Sequence, residues 1–168
     1  MTLRTVLRDG RPETVDADDD ATLLDVVQDF LVCHSASKGC VDGLCGACRV
    51  LLNGRVTNSC RVFWRDVSEG AEVLTYEDVS GDPAVIAAIG AFEDELPTRC
   101  SRCVGGLGVT AFALAGKGKL PDEDAVEQTL VSATCMCTGR ASLRRALLVA
   151  IASPKNGATP APPENGDP

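Results

Sequence analysis

Short apolar runs separated by turn dipeptides dominate the first half of the chain. Thr2 to Arg8 and Arg11 to Asp16 carry Leu3, Val6 and Val15 on either side of Asp9-Gly10, which predicts a β-hairpin. The charge run Asp18-Asp19-Asp20 reads as a solvated turn, with Asp20 able to cap a helix over Ala21 to Leu31. Leu23, Leu24, Val27, Phe30 and Leu31 repeat there at helical spacing. Arg49 to Leu52 and Arg55 to Asn58 flank Asn53-Gly54, a strong type I′ signal, and predict a second hairpin. Val62 to Val67 and Ala71 to Tyr76 read as two further short strands.

After Ser80-Gly81-Asp82-Pro83 the period changes to helical. Asp82 is a candidate N-cap and Pro83 the first helical residue of a segment reaching Leu96, with Ile86, Ala88, Ile89 and Phe92 inward. Pro97-Thr98 opens a helix from Arg99 to Ala115, stopped by Gly116-Lys117-Gly118. Asp122 to Ala133 puts Val126, Thr129, Leu130 and Ala133 on one face. Thr138 to Ala152 puts Leu143, Leu147, Ala150 and Ile151 inward and Arg144 and Arg145 outward. The expected fold is α+β: a small sheet domain over residues 1–79, then a four-helix bundle over residues 82–152. The Pro, Gly and Asn content of residues 153–168 predicts a disordered tail.

Composition narrows the function. With 45% hydrophobic residues in 168 the chain can bury a core, and with 4% aromatics that core is aliphatic. A net charge of −8 and so few aromatics argue against nucleic acid. No stretch approaches the roughly 20 apolar residues of a membrane span. The polar start, Met1 to Arg11, shows no apolar signal-peptide core, so a cytoplasmic protein is expected, whose cysteines serve metal rather than disulfides.

Eight of the nine cysteines form two sets. Cys40, Cys45, Cys48 and Cys60 have the spacing C-x4-C-x2-C-x11-C, the ligand layout of a plant-type [2Fe–2S] cluster. Gly39, Gly43 and Gly46 interleave them and let backbone N–H groups approach sulfur. Cys100, Cys103, Cys135 and Cys137 form C-x2-C-x31-C-x1-C. Alone, that second spacing is shared with zinc sites. Its company and the Cys-x-Cys-Thr-Gly run favour iron–sulfur. Both pairs fall at predicted helix starts, with Thr138 as one cap, where free N–H groups favour thiolate. The chain is thus expected to hold two [2Fe–2S] clusters and pass single electrons between them.

These motifs resemble the small iron–sulfur subunit of the xanthine oxidase family of molybdenum hydroxylases, which includes carbon monoxide dehydrogenase, aldehyde oxidoreductases and nicotinate-type dehydrogenases. The match runs from Leu3 to about Ala152. The resemblance implies a plant-ferredoxin-like β-grasp domain followed by the helical bundle. It implies that the Cys100, Cys103, Cys135, Cys137 cluster lies nearer a molybdenum-pterin cofactor on a large partner subunit. The Cys40, Cys45, Cys48, Cys60 cluster would lie nearer an FAD subunit, in a heterotrimer or its dimer. Substrate turnover would occur on the partner, and no residue here would be catalytic.

Some positions depart from the family. Arg99 replaces the glutamine that contacts the pterin, Met136 replaces an arginine and Arg140 an aromatic. Arginine only donates and always carries charge, so the usual pterin contact changes character. Met136 is expected to pack. Gly105-Gly106 in a helix costs about 1 kcal/mol each against alanine, which suggests close approach of another backbone or subunit. Cys33 reads as a buried inert thiol. His34, the only histidine, reads as a surface residue and excludes a Rieske centre on this chain. Arg61, Arg65, Arg99 and Arg102 near the cysteines could dock partners or offset cluster charge, but each singly reads as a solvated side chain. A free-standing two-cluster electron carrier and a zinc-stabilised binding module remain the alternatives.

Overall fold

A computed structural model describes residues 1–94, 101–116 and 123–152. Both hairpins form. Strand β1 (Thr2–Arg8) pairs antiparallel with β2 (Arg11–Ala17), and β3 (Arg49–Leu52) with β4 (Arg55–Asn58). Strand β5 (Ala71–Leu74) joins them, parallel to β1 and antiparallel to β3, giving the order β2-β1-β5-β3-β4. Asn53 adopts φ 50° and Gly54 φ 72°, the left-handed pair that a type I′ turn requires.

Helix α1 (Leu23–Asp29) begins later than expected. Its cap is Thr22, not Asp20. The Thr22 and Asp25 side chains each take the other's backbone N–H in a capping box. Asp20 pairs instead with Arg65, which also stacks over Phe63 at 4.4 Å. Val62 to Val67 is not a strand. It holds a 3₁₀ turn, Trp64–Asp66, and its one β-bridge is an isolated pairing of Phe63 with Thr22. Trp64 is fully buried and its Nε1 donates to Thr2 O at 2.9 Å, so one side chain secures a segment too irregular to pair. Of the last expected strand only Ala71 to Leu74 forms β5. Thr75 then caps a short helix, α2 (Tyr76–Val79).

Four longer helices follow: α3 (Pro83–Glu93), α4 (Val104–Gly116), α5 (Glu123–Leu130) and α6 (Gly139–Ala152). Asp82 Oδ1 takes the Ala84 N–H at 2.8 Å, as its cap role predicts. Helix α3 stops at Glu93, with Asp94 as its C-cap, short of the expected Leu96, and α4 starts only at Val104, because Ser101 to Cys103 form a turn and not the expected first helical turn. The 153–168 segment lies outside the described residues. Ile86 is exposed and Val85 is buried in its stead, because the inward stripe runs Ala84, Val85, Ala88, Ile89, Phe92. Phe30 of the first helical stripe is likewise exposed, while Val26 is buried.

Two cores result. Val6, Leu23, Val27, Val50, Trp64 and Val73 centre the first, between the sheet and α1. Val85, Phe92, Leu107, Leu114, Leu130 and Leu147 centre the second, among the helices. They meet at β3, where successive side chains point to opposite faces: Val50 enters the first core and Leu51 the second. Helix α4 packs across that outer face of β3 and β4. No helix among the described residues is long and apolar enough to cross a membrane.

Candidate iron–sulfur site

The first cysteine group sits on the loop between α1 and β3, with Cys60 supplied by a 3₁₀ turn (Ser59–Arg61) after β4. The Cys45 N–H points at Cys40 Sγ at 3.4 Å, and the Ala47 N–H at Cys45 Sγ at 3.5 Å. Donors aimed at sulfur are what an anionic thiolate centre needs. Ser59 Oγ and N–H both bond Cys48 O, which ties the Cys60 turn to the loop. Asn58 Nδ2 donates to Gly43 O at 2.8 Å and Arg61 to Asp42 O at 2.9 Å, so Arg61 braces the loop rather than standing free.

Burial, followed by contact with Cys48 and the nearness of Cys40 and Cys45, pushes the Cys60 thiol up to about 12. Burial and the other thiols also raise Cys45 above its ordinary value. Four sulfurs held this close resist ionising together, and a cationic di-iron centre removes that resistance. The donor set therefore suits an iron–sulfur group. Among the described residues no three His, Cys, Asp or Glu side chains group as ligands of one metal ion. A two-iron cluster takes two thiolates per iron. Outside the loop, a cavity of about 330 Å³ opens beside Cys40 and Cys60, bordered by Lys38, Asp42 and Phe63.

Of the second group, Cys100 lies outside the described residues, as does Arg99. Cys103 immediately precedes α4, and its carbonyl accepts the Leu107 N–H at 2.9 Å. Cys135 and Cys137 precede α6. Burial alone would raise the Cys135 thiol. Hydrogen bonds from Thr138, the Cys137 N–H and Cys103 outweigh it and hold the thiol below its ordinary value. Cys103 and Cys135 thus stand together at helix starts, on elements far apart in sequence.

The two groups abut. Cys45, Cys103 and Arg49 border one gap of about 10 Å³, at the lower limit for a single water. The Thr134 N–H, next to Cys135, donates to Cys45 O at 3.2 Å. Gly105 and Gly106 account for the closeness. A side chain on the first would meet the Ser35 carbonyl, and on the second the Gly46 carbonyl. The close approach expected of this pair is therefore to the chain's own backbone. Gly46 itself has φ 76° and lies 3.1 Å, by its absent Cβ, from Ser132 O.

Several single residues resolve. Cys33 is fully buried, and burial raises its thiol above the ordinary value, as an inert thiol requires. His34 is exposed, and its N–H donates to Glu77. Met136 does not pack within this chain: it is 87% exposed, because the turn between Cys135 and Cys137 carries it outward. Arg140 pairs with Glu127 at 2.7 Å. Arg49 escaped the sequence reading, which saw only the first residue of a strand. It is 4% exposed and makes four hydrogen bonds, and burial lowers it to about 10 against the pull of Cys48 and Cys45. Its position directly after Cys48 was the available signal.

The 2Fe-2S iron-sulfur cluster binding domain matches residues 6–75. The nicotine 6-hydroxylase small subunit of Paenarthrobacter nicotinovorans is 30% identical over 139 residues, 83% of each chain. The chain belongs to the small iron–sulfur subunits of the molybdenum hydroxylases. Another such protein, the nicotinate dehydrogenase small FeS subunit of Eubacterium barkeri, is 26% identical over 84% of this chain and 90% of its own. Among solved structures, the aldehyde oxidoreductase of Desulfovibrio gigas superposes with a TM-score of 0.77 at 28% identity, over 90% of this chain. This chain spans only 17% of that enzyme's length. As a small iron–sulfur subunit, the protein serves electron transfer within an oxidoreductase complex and has an α+β 2Fe–2S fold.

Proposed function

We propose that this subunit relays single electrons through two [2Fe–2S] clusters, one on Cys40, Cys45, Cys48 and Cys60 and one on Cys100, Cys103, Cys135 and Cys137. The clusters would supply one-electron storage, and the chain would hold them at a fixed separation. The proposed domains are a ferredoxin-like β-grasp domain over residues 1–79 and a four-helix bundle over residues 82–152. Electrons would come from a molybdenum-pterin site on a large partner and leave to an FAD subunit, in a cytoplasmic heterotrimer or its dimer. The observation that carries this reading is the shared border of Cys45 and Cys103, with Cys45 O held by Thr134 N–H. Electron transfer needs centres this near, and no substrate chemistry needs them.

Met136 and Val131, 87% and 73% exposed, lie near the second group in the chain, and Val41 and Leu44, also exposed, lie within the first. In the proposed complex the two partner subunits would cover these side chains.

Anaerobic purification of the native complex tests the proposal. About four irons and as much acid-labile sulfide per chain, with a molybdenum subunit copurifying, are expected. Zinc in place of iron, or half the iron, overturns the two-cluster reading. Elution of the brown chain alone from native extract would instead make it a free-standing carrier.

A further inference from the structure

Arg49 is a buried cation whose hydrogen-bond partners among the described residues are all neutral. Nη1 donates to Thr110 Oγ1 at 3.0 Å, Nη2 to Thr129 O at 2.6 Å and Ser132 Oγ at 3.0 Å, and Nε to Asn58 Oδ1 at 3.3 Å. Those acceptors come from α4, α5, the turn after α5 and β4, so the guanidinium ties the edge strand of the sheet to the helices. The ion pairs formed among the described residues involve Arg8, Arg65, Arg140 and Arg144, not Arg49. Arg49 directly follows Cys48 in the chain, with Cys45 beside it. It also borders the gap that Cys45 shares with Cys103.

A buried charge without a carboxylate is costly, and an isolated one is rarely kept. Four neutral acceptors orient the guanidinium but carry no countercharge. The missing countercharge is the anionic centre of the first cysteine group, with the second close behind. Each electron accepted there adds one negative charge and no proton. In a low-dielectric interior a fixed cation attracts that added charge more strongly than it would across water. We infer that Arg49 is the built-in countercharge of the two iron–sulfur centres and raises their reduction potentials, chiefly that of the first. In this role Arg49 is a positioning residue for electrons, acting by charge and not by touching a reactant. The inference rests on the two-cluster reading above.

Two variants separate charge from geometry. R49Q keeps a hydrogen-bonding head and loses the cation, whereas R49K keeps the cation and loses the fork. Both are made in the full chain, purified anaerobically with its complex, and followed by electron paramagnetic resonance during a redox titration. If charge is the role, the reduced-to-oxidised ratio of the first centre at a fixed potential falls tenfold or more in R49Q, a shift of about 59 mV per tenfold for one electron. R49K stays within twofold of the parent. The reverse order, or two unchanged potentials, overturns the inference. Should R49Q fail to load its centres, R49K decides: a ratio within twofold supports the role and a tenfold drop overturns it. Failure of both to load assigns Arg49 a structural part only and also overturns it. A parent chain without two iron–sulfur signals would sink the two-cluster reading itself, which is a separate outcome.

Discussion

Gly106, in the first turn of α4, lies so close to the carbonyl of Gly46 in the cysteine loop that no side chain fits between them. The obstacle is backbone, which cannot rotate aside. Gly106→Ala therefore separates loop from helix, and overpacking of this kind costs about 1–3 kcal/mol. That exceeds the gain of about 1 kcal/mol in helix propensity. Gly90, inside α3, has nothing within 4 Å of an added Cβ, so Gly90→Ala keeps that gain as stabilisation. Denaturant unfolding of the two variants should move in opposite directions. Equal midpoints would contradict the close packing of loop and helix.

The approach to the cysteine loop is held by Glu77. Its carboxylate accepts the His34 and Ser35 N–H groups at 3.0 and 2.9 Å and the Ser35 hydroxyl at 2.6 Å. Burial alone would raise Glu77; these hydrogen bonds outweigh it and hold it below the ordinary glutamate value. Because the folded value is the lower one, the stabilisation is present above the unfolded value and fades as pH falls through the folded one. Glu77→Gln should cost about 1 kcal/mol at neutral pH, screened by its exposure. The gap from the parent should close below about pH 4. A gap constant from pH 7 to pH 3 would count against a charged acceptor.

Thr22 and Asp20 offer a direct contrast. Thr22 closes the capping box of α1, whereas Asp20 makes an exposed pair with Arg65. Thr22→Ala should lose about 1 kcal/mol, some 2–4 °C in a chain of this size. Asp20→Ala should stay within about 0.5 kcal/mol. Thermal melts of both, run side by side, check the order.

Cysteine content divides by role. Cys33→Ser removes a neutral thiol from the first core and should leave iron unchanged at some cost in stability. Cys60→Ser should lower iron to about half of the parent's, since each two-iron cluster needs all of its thiolates. Iron analysis of both proteins is the measurement. Equal loss in the two would place Cys33 among the ligands.

Much of the architecture was legible because it is local. Asn53-Gly54 needs only its own φ angles to make a hairpin, and Asp82-Pro83 starts a helix from short-range bonds alone. Val62 to Val67 misled because its apolar residues serve one buried tryptophan and not a sheet ladder. Ile86 misled because every position from Pro83 to Ile89 is apolar and only the packing against α4 and α6 selects Ala84, Val85, Ala88 and Ile89 to face inward.

The spacing of the cysteines and glycines alone determined the chemistry and the family, since ligands three to five residues apart converge on any compact loop. The apolar periodicity and the turn dipeptides likewise determined two hairpins and a set of helices. Only the tertiary structure decided that the two cysteine groups share a border, that Gly46 and Gly106 make that possible, and that Arg49 lies buried with neutral partners beside it. Those relationships join residues about 60 to 90 positions apart, as Arg49 with Thr110 and Cys45 with Thr134. Such pairs meet only when β3 offers one face to each core, and no local pattern encodes that meeting.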